Sequence, residues 1–240
     1  MKRALIFLAC LFTIPLFAQQ LNSNEWEEQA KSNIRLLPKY GWAQKTKEQK
    51  EADEKFIIET MELEQFNGDR TAASNHLIQL GFTYLYNKDV KTAMYRFNQA
   101  YLLDSSNTDI YWGYGAVYMT LGNFDKARKQ YANGLRKQPN NPHLLTDYGT
   151  YFMSRYYDVA AKNPKEKATI YLDSALNYLT KSYQVDSKDK NTSFKLSVVY
   201  NLKNDCANAW KFYDACKAQG GQPITEEYTK ELMKKCKRKK

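Results

Sequence analysis

A period of 34 residues, marked by three glycines, constrains this chain more than any other feature. Gly81 stands in Leu77-x-x-Leu80-Gly81-x-x-Tyr84, Gly115 in Tyr111-x-x-Tyr114-Gly115-x-x-Tyr118, and Gly149 in Leu145-x-x-Tyr148-Gly149-x-x-Phe152. A second pattern follows the first. Ala93-x-x-x-Phe97-x-x-Ala100 becomes Ala127-x-x-x-Tyr131-x-x-Gly134, and the loop residue Ser105 becomes Pro139. Self-similarity at such a period marks an architecture made by stacking one supersecondary unit on the next. Within each block the apolar residues recur at steps of three and four, so they form one stripe on a helix. Gly81 and Gly115 leave room for a neighbouring helix, and Ala93 and Ala127 do the same on the second helix. Asn87-Lys88-Asp89 and Gly122-Asn123-Phe124-Asp125 supply the turns and helix starts between them.

The third unit departs from the period. Its second helix resumes only at Ala175-x-x-x-Leu179-x-x-Ser182, and Ala175 lies 48 residues after Ala127, an excess of 14. Asn163-Pro164, midway in the excess, is a good turn with Pro at a first helical position. Fourteen residues split evenly add about two turns to each helix. Tyr156, Tyr157, Val159, Ile170 and Tyr171 read as packing residues, which favours a longer protruding hairpin over a flexible loop. A weaker fourth unit reads Leu196-Ser197-x-x-Tyr200 and then Ala209-x-x-x-Tyr213-x-x-Cys216. Thr46-x-x-Gln49 has the form of a capping box that opens a helix ending near Asn67-Gly68. Thr225 caps a terminal helix with Glu226 and Glu227 in its first turn and lysines in its last, matching the macrodipole.

In period, residue type and order these blocks resemble the tetratricopeptide repeat, over about residues 74–221. The resemblance implies an all-α fold, a right-handed α-solenoid of stacked antiparallel helix pairs. Four repeats are expected at 74–107, 108–141, 142–189 (with the insertion) and 190–221. A helix over 46–73 and a capping helix with a basic tail over 222–240 cover the ends, as a solenoid requires. Residues 19–45 form a polar lead-in.

Residues 1–18 read as a secretory signal. Lys2 and Arg3 precede a nearly continuous apolar run from Ala4 to Phe17, and Ala18 suits a signal peptidase. The run is short for a membrane span. Leu8-Ala9-Cys10 has lipobox character, but only about six apolar residues precede Cys10. The mature chain is therefore expected to begin near Gln19, in the periplasm or secreted. Without Lys2 and Arg3, the formal charge of +10 falls to about +8. Lys234, Lys235, Lys237, Arg238, Lys239 and Lys240 supply six of those charges. The basicity is thus a property of the tail, which suits contact with an anionic surface better than nucleic-acid binding by the whole domain.

Export exposes Cys206, Cys216 and Cys236 to oxidation. The last repeat helix, from about Asp205 to Ala218, and a terminal helix returning from Thr225 place Cys206 roughly 18 Å before the intervening turn and Cys236 roughly 17 Å after it. The two are expected to meet in a disulfide. Cys216 lies near the turn, in the place held by Ala100, Gly134 and Ser182. No Cys-x-x-Cys is present, and His76 and His143 lie far from the cysteines in sequence, so no zinc site is expected. There is no phosphate loop and no nucleophile elbow. His76 and His143 fall in first helical turns as surface or groove residues. The chain reads as a binding protein with no catalytic residues and no cofactor.

Some tetratricopeptide-repeat proteins clamp a C-terminal carboxylate with Lys, Asn and Arg on successive first helices. The corresponding places here hold Ile78 and Phe82, then Trp112 and Ala116, so that clamp is absent. The concave face is instead expected to gather Phe82, Tyr86, Trp112, Met119, Met153 and Phe194. Asn75, Gln79, Asp109, Thr146 and Asn201 beside them would bond a protein or peptide partner's backbone.

Overall fold

The computed structural model describes residues 22–162 and 168–238. The signal segment, Asn163-Pro164, Lys239 and Lys240 lie outside the described residues. The first helix, α1 (Ser23–Ser32), is followed by two 3-10 turns, Ile34–Leu36 and Pro38–Trp42, and by α2 (Lys47–Met61). Four helix pairs follow: α3 (Arg70–Tyr86) with α4 (Val90–Leu103), α5 (Asp109–Thr120) with α6 (Phe124–Lys137), α7 (Pro142–Lys162) with α8 (Thr169–Val185), and α9 (Lys190–Leu202) with α10 (Cys206–Ala218). The last helix is α11 (Glu226–Lys235). No strand occurs among the described residues. Each pair packs on itself, each second helix on the next first helix, and α3, α5, α7 and α9 stack along one side. The fold is an all-α solenoid.

The turns inside the first, second and fourth pairs follow one local rule. Lys88, Gly122 and Asn204 adopt left-handed φ of 64°, 71° and 63°. The next residue, Asp89, Asn123 or Asp205, then donates its N–H back to the carbonyl of Tyr84, Tyr118 or Tyr200 at 2.8–2.9 Å. This is the six-to-one bond that closes a helix C-terminus. The same Asp or Asn side chain accepts from a backbone N–H three residues on and so caps the second helix. Three residues thus end one helix and start the next.

The glycines act by close approach. The ring of Phe97 in α4 fills a slot between Gly81 of α3 and Gly113 of α5, and a Cβ at Gly81 would lie 2.5 Å from that ring. Tyr131 lies against Gly115 in the same way, and Leu179 lies 2.7 Å from where a Cβ on Gly149 would sit. Small residues on first helices therefore set the depth to which second helices seat.

The lead-in, whose composition predicts no particular structure, is ordered over its described part. Residues 22–42 are a strap laid against α4, α5 and α6, with Trp26 and Leu36 fully buried in the main core. Asn22 and Glu25 form a capping box on α1. Ser23 accepts from Asn123, and Glu27 pairs with Lys126 at 2.6 Å. The anchor is Asn98, fully buried in α4. Its amide donates to the carbonyls of Arg35 and Leu37, and its Oδ1 accepts from Lys39 N–H at 2.8 Å and Tyr114 Oη at 2.7 Å. That bonding holds Lys39, Tyr40, Gly41 and Trp42 in a left-handed turn, with φ of 55–65° at all four. Left-handed backbone costs a residue with a Cβ about 1–2 kcal/mol, and a satisfied buried amide offsets it. The polar composition concealed this because the apolar anchors are few and widely spaced.

The capping box at Thr46 and Gln49 is present, but α2 ends at Met61. A run of turns leads to Asp69, which caps α3, so the first repeat helix begins at Arg70 rather than at 74. In the third pair α7 has 21 residues against 12 for α5, while α8 has 17 against 14 for α6. The hairpin is longer, as its residues imply, but most of the gain falls on α7. Val159 and Tyr156 pack as expected, whereas Tyr157 and Ile170 are exposed because the projecting hairpin outruns its neighbours. At the far end Cys206 and Cys236 stand at disulfide distance, with Cα atoms 5.2 Å apart, and Cys216 is free and buried. Trp210 Nε1 donates to the Cys236 carbonyl at 2.9 Å.

Candidate partner-binding groove

The stacked first helices line a groove of 460 Å³ that crosses four repeats. Phe82 and Tyr86 come from α3, Trp112 from α5, His143 and Asp147 from α7, and Lys195 from α9. Trp112 follows Phe82 by 30 residues rather than 34, so the row steps back about one helical turn between α3 and α5 and crosses the stacked helices obliquely. The rings form a continuous stack. Phe82 and Trp112 have centroids 3.9 Å apart, and Trp112 lies over His143 at 4.4 Å with an interplanar angle of 19°. Aromatic side chains this close reinforce one another beyond area burial. Tyr86 extends from the stack and is 80% exposed.

The polar groups fix the stack rather than dilute it. Trp112 Nε1 donates to Asp147 Oδ2 at 2.7 Å, and the other oxygen of Asp147 faces Lys195 Nζ at 3.5 Å. His143 Nδ1 meets Asp109 Oδ2 at 3.0 Å, and Asn141 donates to Asp109 Oδ1 at 2.6 Å. The hydrogen bond to Asp109 raises the His143 pKa above the ordinary imidazole value, against the opposing effect of burial. Burial pushes the Asp109 carboxyl up, but hydrogen bonds from His143 and Asn141 outweigh it and hold it below the ordinary range. The imidazolium's stabilising contribution is complete below its ordinary pKa of 6.5 and is lost as pH rises through its raised folded value. The carboxylate's contribution is present above its ordinary value of 3.8 and is lost as pH falls through its lowered one. The pair is therefore strongest between those limits. An NMR titration will place the His143 midpoint above 6.5, and Asp109→Asn will lower it. A wild-type midpoint at or below 6.5 contradicts the pairing.

The structure brings together three of the six residues expected on this face: Phe82, Tyr86 and Trp112. Phe82 is nearly buried, and it shares the groove through its contact with Trp112. Met119 and Met153 are half-buried against the core and do not line the groove. Phe194 lies under α11, its ring 5.2 Å from Tyr228, because the terminal helix covers the surface that α9 would otherwise expose. Ile78 is core. Thr146 and Gln79 line the groove as expected, whereas Asn201 is buried and bonded to α11. Sequence reasoning missed Asp147 and Lys195. Their signal was available, since a charged residue on the otherwise small or apolar side of a first helix has no reason to be there except to face a groove.

The tail is less free than its composition suggests. Lys235 Nζ donates to the Asn201 carbonyl at 2.6 Å, and Arg238 pairs with Asp214 and sits 4.8 Å over Trp210. Among the described residues no helix is long and apolar enough to cross a membrane.

Residues 84–146 match the family model described as tetratricopeptide repeat. No curated protein matches the chain in sequence. Among solved structures, PilF of Pseudomonas aeruginosa aligns with 69% of this chain and 85% of its own at 18% identity and a TM-score of 0.37. PilW, described as a widely conserved type IV pilus biogenesis factor, aligns over 68% and 85% at 17% identity and a TM-score of 0.35. YrrB, described as a tetratricopeptide-repeat protein with an unusual peptide-binding site, aligns over 73% and 97% at 17% identity and a TM-score of 0.32.

Proposed function

We propose that this chain, whose residues 84–146 match the tetratricopeptide repeat, is a non-catalytic scaffold that holds a protein or peptide in the groove of its first helices. The observation that carries this reading is the Phe82–Trp112–His143 stack, open on one side and bordered by Tyr86, Asp147 and Lys195. Rigid aromatic side chains bind at low entropic cost and dominate interface energetics. The fixed carboxylate and ammonium at the α7 and α9 end supply orientation, since either can bond an extended backbone or an opposite charge. Curved stacks of this kind use the side lined by first helices as an extended concave binding surface.

The site of action belongs to the same proposal. The leader-like residues 1–18 and the cysteine pair suit a chain that works outside the cytoplasm, periplasmic or secreted. N-terminal sequencing of the protein from its own cells should find a start near Gln19, and retention of Met1 in a cytosolic product would sink this part. For the groove, affinity capture followed by a binding titration is the test. Trp112→Ala will weaken partner binding by about 1–3 kcal/mol with helicity unchanged. Full binding by a folded Phe82→Ala/Trp112→Ala double variant overturns the assignment. Because Phe82 is mostly buried, Tyr86→Ala serves as the variant that cannot disturb packing.

A further inference from the structure

A second recess lies away from the groove, between the left-handed turn at Lys39–Trp42 and α6, with a volume of 580 Å³. Thirteen residues line it. Five are cationic (Lys39, Lys126, Lys129, Arg136 and Lys137) and none is acidic. On α6, positions 126, 129, 130, 133, 136 and 137 recur at steps of three and four and so share one face. The opposite face buries Ala127, Tyr131 and Gly134. From Lys126 to Lys137 the row runs roughly 16 Å by helical rise.

Three of the cations are already engaged, Arg136 by donating from Nη2 to Asn133 Oδ1 on the same helix. Lys126 pairs with Glu27, and Lys39 donates to Tyr111 Oη while lying over the rings of Trp42, Tyr101 and Tyr111 at 4.4–5.0 Å. Lys129, Arg136 and Lys137 are exposed, and no carboxylate among the described residues lies within ion-pair distance of them. Like charges gathered on one face repel one another and weaken the fold. Beside them stands Trp42, 75% exposed, on a backbone turn that is itself strained at Lys39, Tyr40 and Trp42. Strain held in place by a buried anchor concentrates at sites that bind. Here the anchor is Asn98, and the turn it holds sets Trp42 and Lys39 at the mouth of the cationic row.

We propose that this recess binds an acidic peptide segment of a partner in extended conformation. The segment's carboxylates meet Lys129, Arg136 and Lys137, its backbone carbonyls accept from Gln130 and from Asn133 Nδ2, and an apolar side chain lies against Trp42. A row of roughly 16 Å takes about five residues of extended chain. The amides interleaved between the cations suit a peptide backbone. The cations border a recess rather than a flat face, which suits a peptide segment better than a planar bilayer. The site uses none of the groove residues and stands or falls without them.

The test is fluorescence anisotropy with the whole protein and a fluorescein-labelled peptide of glutamates carrying one Phe, beside its counterpart with each Glu replaced by Gln. At low salt the glutamate peptide will bind at least about tenfold more tightly than the glutamine peptide, and salt will erase the difference. Lys129→Glu/Arg136→Glu/Lys137→Glu will weaken it by at least about tenfold, and Trp42→Ala by about three- to tenfold. Trp112→Ala will leave it unchanged. The milder Lys129→Gln/Arg136→Gln/Lys137→Gln variant repeats the measurement if charge reversal perturbs the circular dichroism spectrum. Equal binding of the two peptides, indifference to the triple substitutions, or loss of binding in Trp112→Ala overturns the proposal. So does tighter binding to phosphatidylglycerol vesicles or to single-stranded RNA than to the peptide.

Discussion

Phe97→Ala will lower the unfolding free energy by about 3–5 kcal/mol, the cost of removing a fully buried phenyl ring and leaving its cavity. The upper part of that range applies because the site cannot collapse. Phe97 is wholly buried, wedged between the backbones of Gly81 and Gly113, with Phe82 edge-on at 5.2 Å. Those backbones belong to helices of two successive repeats, each fixed by other contacts, so neither can move in to fill the gap. Urea denaturation followed by circular dichroism measures the effect. A loss below about 1 kcal/mol would mean that the repeats slide together, and that the ring does not set their spacing. Gly81→Ala addresses the same slot from the other side and should also destabilise, because its Cβ would meet the ring at 2.5 Å.

Cys206→Ser will remove about 3–4 kcal/mol from the stability of the last helices when compared with oxidised protein, by the chain-entropy model for a loop of this length. The residues bridged are 30 apart and enclose the turn between α10 and α11. Hydrogen exchange will localise the loss to α9, α10 and α11, with α3–α6 unchanged, since repeats are coupled mainly to their neighbours. Trp210 Nε1 on the Cys236 carbonyl and Arg238 on Asp214 will hold part of α11 in place. The variant should therefore loosen the end rather than abolish folding. Peptide mapping that finds both Cys206 and Cys236 free in mature protein isolated without reductant contradicts the pairing outright.

The helix pairs were legible in the sequence because their determinants are local and repeated. In the first two pairs a tyrosine three residues after the glycine, a left-handed residue and an Asp or Asn cap recur at fixed spacing, and each acts within about six residues of itself. The meeting of Cys206 with Cys236 was legible for a related reason, since helical rise alone puts two residues equidistant from a turn at one level. Half of the expected groove residues were legible because Phe82, Tyr86 and Trp112 lie on first helices, on the side away from the second helices. Phe194 was misplaced because what covers it, Tyr228, belongs to a helix outside the repeat pattern. The strap was illegible. Its seat depends on Asn98, one polar residue on the otherwise apolar buried face of α4, whose partners Arg35, Leu37 and Lys39 lie about 60 residues away. Nothing periodic links the two segments.

The strap also changes how such a chain assembles. In a plain repeat array each unit touches only the next, so units can order one after another as they leave the ribosome. Here the earliest described residues must wait for their seat. Ser23 and Glu27 bond Asn123 and Lys126, partners 99–100 positions downstream that exist only once α6 has been made. Until then Trp26 and Leu36 remain uncovered, and closing a loop of that size is slow compared with forming a helix hairpin. Once seated, the segment spans the first two repeats and makes them gain or lose structure together, so this end of the solenoid behaves as one cooperative block instead of fraying unit by unit.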